Sequence, residues 1–221
     1  MIFLHKKTQE KNFFSTSDDM LNNREIKRKL VHFLAAFYIL GYVLLPRKII
    51  LLIVGSILGI IILIELLRFI SPSLNKFLFS TIGKFMSYRS VEYINPSGLI
   101  YTFSGAFFTM LLFKRKEIIV LSLCYQVFGD SMAALVGTAV GRIKIMKSKT
   151  VEGSIACFLT CLLCAYIVIP PYEHKAIVML ISAIVATLIE LFPFPKPSDN
   201  FWLPFISAVL LKYLFSVYRI F

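Results

Sequence analysis

Seven apolar stretches, each about long enough to cross a bilayer, constrain this chain more than anything else in it. A spanning helix needs about 20 mainly apolar residues, within a usable range of about 17 to 25. Stretches of that kind fall at residues 30–45, 49–67, 97–113, 118–141, 151–169, 175–192 and 200–218. The first is short on strict hydropathy, and a helix starting near Asn23 carries it across with Arg28 and Lys29 at headgroup level. Pro46, Arg47 and Lys48 mark a tight turn into the second. Residues 69–96 are less apolar and hold Pro72, Gly83 and Pro96 among scattered cations, which predicts an interfacial segment with an amphipathic helix around 74–86. The expected fold class is all-α, a polytopic transmembrane bundle of about seven helices.

Composition agrees. A hydrophobic content of 58%, a charged content of 16% and a mean hydropathy of +0.79 exceed what a soluble domain hides from water. Residues 1–29 are polar and the first apolar run begins near Leu30, so the start does not read as a secretory signal. The net charge of +12 sits in short clusters between apolar runs, the pattern of a membrane protein rather than of a nucleic-acid binder. Sixteen of the 24 lysines and arginines fall on the side of the N-terminal tail, which places the N-terminus in the cytoplasm and the C-terminus outside. Cys157, Cys161 and Cys164 share one helical face inside an apolar run, and Cys124 lies in another, so they read as small packing residues rather than as disulfides or metal ligands. No GxxxxGK[ST] or GxGxxG loop and no repeat of 20–50 residues is present, which excludes P-loop and Rossmann enzymes and gives no sign of an inverted-repeat transporter.

Against that background the intramembrane polar groups stand out, because each costs about 2.5–3.5 kcal/mol at mid-helix on insertion scales. Asp130 heads a stripe that continues through Ala134, Gly137 and Gly141, with Ala133 beside it. Close helix packing explains the small residues but not the aspartate. A phosphate ligand along the stripe, with its metal ion on Asp130, explains both. Glu25, Arg28, Lys29 and His32 occupy one helical arc, where Arg28 and Lys29 are phosphate donors or simple positive-inside anchors and His32 is a base or a satisfied histidine. Arg142, Lys144, Lys147 and Lys149 precede Thr150, Glu152, Gly153 and Ser154, where a helix start adds backbone donors to the cations. Glu190 is followed by Pro193, Pro195 and Pro197 and then by Asp199 and Asn200, with Asp199 as a helix cap the plainer alternative. Arg89 and Glu92 form a weaker pair ahead of Asn95-Pro-Ser-Gly98. In the expected topology all five clusters, and the acids Glu92, Asp130, Glu190 and Asp199 that the orientation count did not use, emerge on the cytoplasmic side.

Together these motifs resemble the CTP-dependent lipid kinases, which include dolichol kinase, phytol kinase and the yeast-type diacylglycerol kinase. The resemblance is carried by Arg28-Lys29-x-x-His32, by Arg89-x-x-Glu92 leading to Ser104-Gly105-Ala106, and by the Gly129-Asp130 to Gly141-Arg142 block. It continues through Lys149-x-x-Glu152-Gly153-Ser154 and Glu190 with Asp199-Asn200-x-x-x-Pro204. The Asp-to-Gly-Arg block also resembles phosphatidate cytidylyltransferase, and Thr150 leans that way, but that family's later Lys-Asp, Gly-His-Gly-Gly and Asp-Arg-x-Asp sequences are missing.

The resemblance implies a polar tail over 1–24 and one integral membrane catalytic domain over 25–221 that transfers the gamma-phosphoryl group of CTP to a membrane lipid alcohol: a polyprenol, dolichol, phytol or diacylglycerol. Asp130 is expected to hold Mg²⁺, with Asp199 or Glu190 as second ligand or as base on the hydroxyl. Arg28, Lys29, Arg142 and Lys149 are expected to neutralise the triphosphate, with Gly137 and Gly141 admitting it. His32, Glu152, Gly153, Ser154 and Asn200 complete the expected phosphate-binding set. The preference for CTP is implied by the resemblance alone. The expected partners are the lipid alcohol, CTP and the bilayer but no nucleic acid, and a homodimer is left open. The expected location is the plasma membrane of a prokaryote, or the endoplasmic reticulum or plastid of a eukaryote. Two rival readings are synthesis of CDP-diacylglycerol and a small transporter using Asp130 as a proton or cation site.

Overall fold

Helices in this chain start and stop where proline, glycine or a charged pair interrupts an apolar run. The computed structural model describes residues 27–30, 32–81, 83, 90–146, 149–192 and 198–219. Glu25, Arg89, Lys147 and the prolines at 193, 195 and 197 lie outside the described residues. Residues 27–30 and 32–33 are helical and lead through a turn at 34–35 into α1 (Ala36–Leu44). Pro46 caps α2 (Arg47–Ile70), and Ser71 caps α3 (Pro72–Ser80), whose proline occupies the first turn, where its missing N–H costs nothing. A 3₁₀ turn over Ser90–Tyr93 precedes α4 (Gly98–Leu112). Next comes α5 (Lys116–Cys124), which passes through a π-helical turn at Tyr125–Gly129 into α6 (Asp130–Val140). A small antiparallel ribbon, β1 (Lys144–Met146) and β2 (Lys149–Thr150), leads into α7 (Val151–Val168). The last helices are α8 (Lys175–Leu191) and α9 (Asp199–Val217).

The expected apolar stretches are largely helical, with a turn at 34–35 in the first; a helix covers Pro72–Ser80, while residues 82 and 84–86 of the amphipathic helix expected around 74–86 lie outside the described residues. Among the described residues, four helical runs are long and apolar enough to cross a membrane: Arg47–Ile70, Lys116–Val140, Val151–Val168 and Asp199–Val217. Gly98–Leu112 is apolar but shorter. The chain is a helical membrane protein, and much of the apolar surface of α2, including Leu52, Ile60 and Leu63, faces outward, as lipid allows and water does not.

The Lys116–Val140 run is the most enclosed, with Ile119, Leu121, Leu123, Tyr125 and Val127 fully buried. It packs against α7 and α9, while α4 lies between α2 and α9. Glycines set the closest approaches. A Cβ on Gly129 would lie 2.7 Å from Cys161 Sγ, and one on Gly153 would lie 2.6 Å from the Ala133 carbonyl oxygen. All four cysteines are free, and Cys157 and Cys161 fill this crossing as small apolar groups.

One end of the bundle is closed by Arg47, whose guanidinium donates to the carbonyls of Met110, Leu111 and Phe113 at 2.9–3.0 Å and so satisfies the open C-terminal turn of α4. At the other end Arg68, 3% exposed, ties the 90–98 segment to α2. It donates to Glu65 Oε2 at 2.8 Å, to Asn75 Oδ1 at 3.3 Å and to the carbonyls of Glu92 and Asn95 at 2.8 and 2.6 Å. Replacing Arg68 with Met leaves Glu65 buried without its cation, so Arg68→Met should destabilise the protein by about 3–5 kcal/mol, with partial recovery on adding Glu65→Gln. Thermal unfolding in detergent checks both.

Candidate active site

Lys29, two residues into the described part of the chain, reaches across to Asp130, the first residue of α6 after the π-helical turn. The ammonium donates to Asp130 Oδ2, and both side chains are buried. Lys149 on β2 makes the matching pair with Glu190, in the last turn of α8 and 2% exposed. The two pairs are not separate. Asp130 lies within electrostatic reach of Lys149 as well as Lys29, and Glu190 within reach of Asp130 and Lys29. Burial alone would lower the Lys149 ammonium, but the Glu190 and Asp130 carboxylates hold it above the usual lysine value. The Lys149 ammonium is therefore favoured in its charged form, and the stability it contributes is lost as pH rises through that raised value.

Two cations and two carboxylates, spread along the chain from Lys29 to Glu190, thus come within electrostatic reach of one another. Asp199 adds a third acid within reach of Lys149. Its Oδ1 accepts from the neighbouring Asn200 N–H at 3.0 Å, so part of its role is local to the start of α9.

The glycine stripe has an occupant in the chain itself. A Cβ on Gly137 would lie 2.9 Å from Thr150 Oγ1, one on Gly141 would lie 2.7 Å from Thr150 Cγ2, and Gly153 lies opposite Gly137. The stripe therefore seats the start of α7 against α6, and the adjoining Lys149 lies within electrostatic reach of Asp130. Thr150 Oγ1 accepts from Gly153 N–H at 3.1 Å and caps α7. Glu152 accepts from the Ile143 N–H at 3.3 Å and closes the ribbon, while Arg142 is exposed beside it. The Ser131, Ser154 and Ser198 hydroxyls are buried without a hydrogen-bond partner among the described residues.

The sequence reading passed over Gln126. It is fully buried in the π-helical turn, one turn before Asp130. Its side-chain amide donates to the Thr102 carbonyl at 3.1 Å and the Asn200 carbonyl at 2.5 Å, and its oxygen accepts from the Tyr38 hydroxyl at 2.9 Å. His32 Nε2 donates to the Gln126 backbone carbonyl at 3.3 Å. Gln126 therefore ties α1, α4 and α9 to the base of the site. The available signal was a lone amide inside an apolar run, where a polar group needs partners. Gly105 serves the same junction, since a Cβ there would lie 2.8 Å from the Asn200 carbonyl oxygen.

Among the described residues no three His, Cys, Asp or Glu side chains gather in the way a protein-only metal cage requires. Mg²⁺ does not need such a cage, since it is commonly held by one or two carboxylates together with substrate phosphates. Asp130 and Glu190 are donors of that kind, each now neutralised by a lysine.

A buried ion-pair cluster at one end of an all-α membrane bundle defines the class of protein, and the comparisons narrow it. No family model and no solved structure matches the chain. It is 26% identical over 197 residues to an uncharacterized protein of Rickettsia prowazekii, covering 86% of this chain and 96% of the relative. An uncharacterized protein of Methanocaldococcus jannaschii is 28% identical over 198 residues, covering 88% and 96%. The CTP-dependent diacylglycerol kinase 1 of Saccharomyces cerevisiae is 23% identical over 183 residues, covering 72% of this chain and 62% of the yeast protein. The chain is thus distantly similar to a CTP-dependent lipid kinase whose length it only partly spans. Gln126→Leu, which strands the Tyr38 hydroxyl, should cost about 1–3 kcal/mol in thermal stability, a loss that Tyr38→Phe in the same chain partly restores.

Proposed function

We propose that this protein is a CTP-dependent kinase that phosphorylates the hydroxyl of a membrane lipid alcohol at the cytoplasmic face. The observation that carries the reading is the cluster itself: Lys29–Asp130 and Lys149–Glu190 within electrostatic reach of one another at the end of a lipid-embedded bundle. Its motifs and the distant similarity to a yeast CTP-dependent diacylglycerol kinase supply the donor nucleotide. The proposal includes seven crossings with the N-terminus in the cytoplasm, where CTP is available.

Phosphoryl transfer asks for little covalent chemistry from the protein and much charge neutralisation and alignment. Buried lysines fit that demand. Each is held ready by a carboxylate, and each can exchange that partner for a phosphate oxygen as the nucleotide enters. Arg28 lines a groove beside His32, and the exposed Arg142 is a further candidate cation for the phosphates. Asp130, with Glu190 or Asp199, would hold Mg²⁺, which when bound supplies further charge neutralisation on the phosphates. Whichever of Glu190 and Asp199 is not used for that purpose accepts the proton of the lipid hydroxyl. Gly137 and Gly141 contribute by letting Lys149 approach Asp130. Water is kept out by the buried Ile118–Cys124 stretch of α5 and by the Gln126 junction.

Purified protein supplied with gamma-labelled CTP and a panel of prenols and diacylglycerol should transfer label to one of them. Label entering lipid from alpha-labelled CTP instead would mean cytidylyl transfer, and nucleotide-independent uptake into liposomes that is lost in Asp130→Asn would mean transport. Asp130→Asn and Lys29→Ala should each lower turnover by about 100-fold or more, the scale seen when one charge-stabilising group is removed. Chelation of divalent cations should abolish transfer, and added Mg²⁺ should restore it.

A further inference from the structure

A groove of about 400 Å³ runs along α1 and α2 over a floor formed by α4. Its lining changes character along its length. At the end nearest the paired charges it is bounded by Arg28, His32, Glu92, Thr102 and Asn200. From Tyr38 toward Gly41, Leu45 and Ile50 it is apolar, apart from the Tyr38 hydroxyl, which is already bonded to Gln126. On the α2 side its inner wall is the buried Ile50 and Val54, while the lips Phe37, Ile53 and Ile57 are 70%, 39% and 39% exposed. The groove therefore opens sideways, toward the lipid that surrounds α2. From Tyr38 to Leu45 its apolar part extends about 10 Å along α1 at the rise of an α-helix. Gly41 is what admits Ile50 at the far end, since a Cβ there would meet Ile50 Cδ1 at 2.7 Å.

We infer that this groove holds one hydrocarbon chain of the acceptor lipid and delivers its hydroxyl end to His32 and Asn200, beside the charge cluster. The inference rests on the lipid-kinase reading and adds to it where the acceptor sits and by which side it enters. The polarity gradient fits an amphiphile, with apolar walls for the chain and polar groups only where the headgroup arrives. Gln126 couples the two sites physically. Its side chain and carbonyl bind four residues of the groove lining, Tyr38, Thr102, Asn200 and His32, while its own helix turn carries Asp130. A chain seated in the groove therefore ends within a residue or two of the groups that handle the phosphates.

The test uses the full chain in lipid nanodiscs and two photoreactive probes, a long-chain prenol and a diacylglycerol, each with a diazirine midway along one chain. Irradiation without nucleotide should place adducts on the 34–57 segment or on 99–103, and the unlabelled form of the same lipid should compete. Labelling by only one probe identifies the acceptor class. Ile53→Trp, which narrows the lip, should reduce this labelling and raise KM for the long-chain acceptor by about ten-fold, a change of about 1.4 kcal/mol. KM for CTP and turnover of a short-chain prenol should stay unchanged. Ile60→Trp, on the exposed face of α2 outside the groove, should do neither. Adducts elsewhere on the bundle, labelling that does not compete, or equal losses for long and short acceptors would overturn the inference. Competed labelling in the groove without gamma-phosphoryl transfer from CTP would uphold the groove and sink the kinase reading instead.

Discussion

A charge placed in lipid has to find an opposite charge inside the protein, and this requirement organises the molecule. Lys29 and Asp130 are 101 residues apart and Lys149 and Glu190 are 41 apart, so neither pair can form unless several elements are already assembled. The helical turn that carries Lys29, the α5–α6 run, the ribbon and the end of α8 converge because Lys29, Asp130 and Glu190 are buried and Lys149 is mostly so. Removing one member of such a pair leaves an uncompensated charge, whose cost exceeds what the intact pair contributes. The arrangement therefore specifies geometry more than it adds stability. It also leaves each charged group with a partner that a nucleotide or a cation can replace.

The glycines supply what the charges require. Helices packed through ordinary side chains sit 8–10 Å apart, too far for a short ribbon to lay a lysine over an aspartate on the neighbouring helix. Gly137, Gly141 and Gly153 remove the intervening bulk so that Thr150 packs directly on α6. Gly105 does the same between α4 and the start of α9, which places the Asn200 carbonyl over Gln126. Small residues and an intramembrane acid in one stripe had looked like competing explanations, packing or ligand. In the folded chain they are parts of one arrangement, since the packing is what completes the charged site.

Much of this was legible in the sequence because lipid makes the code simple. Apolar runs of spanning length match the helices to within a few residues, and the cost of burying charge singled out Asp130, while Lys29, Lys149 and Glu190 stood among several charged clusters without being paired with it. Reading failed where a residue's meaning depends on tertiary partners. Glu65 was passed over, and its role follows from Arg68, which also gathers three groups from residues 75–95. Gln126 looked like an isolated amide, and its three side-chain bonds go to three different helices. Glu152 matched a phosphate-binding motif, whereas its observed bond closes the ribbon. Periodicity shows which face a side chain occupies but not what waits opposite.

The π-helical turn at Tyr125–Gly129 carries a consequence of its own. It accommodates one residue more than an α-helical turn, so everything after it is advanced by about 100° relative to an uninterrupted helix. A helical wheel drawn straight through from Lys116 therefore misassigns the faces of α5 and α6 relative to each other. The distortion acts as a phase adjuster. It lets the first half of the run bury an unbroken apolar surface while the second half turns its acid toward Lys29. A chain that lost one residue from this turn could keep every side chain of the site and still point the carboxylate at the wrong neighbour. Lengths in this segment are therefore constrained as tightly as identities.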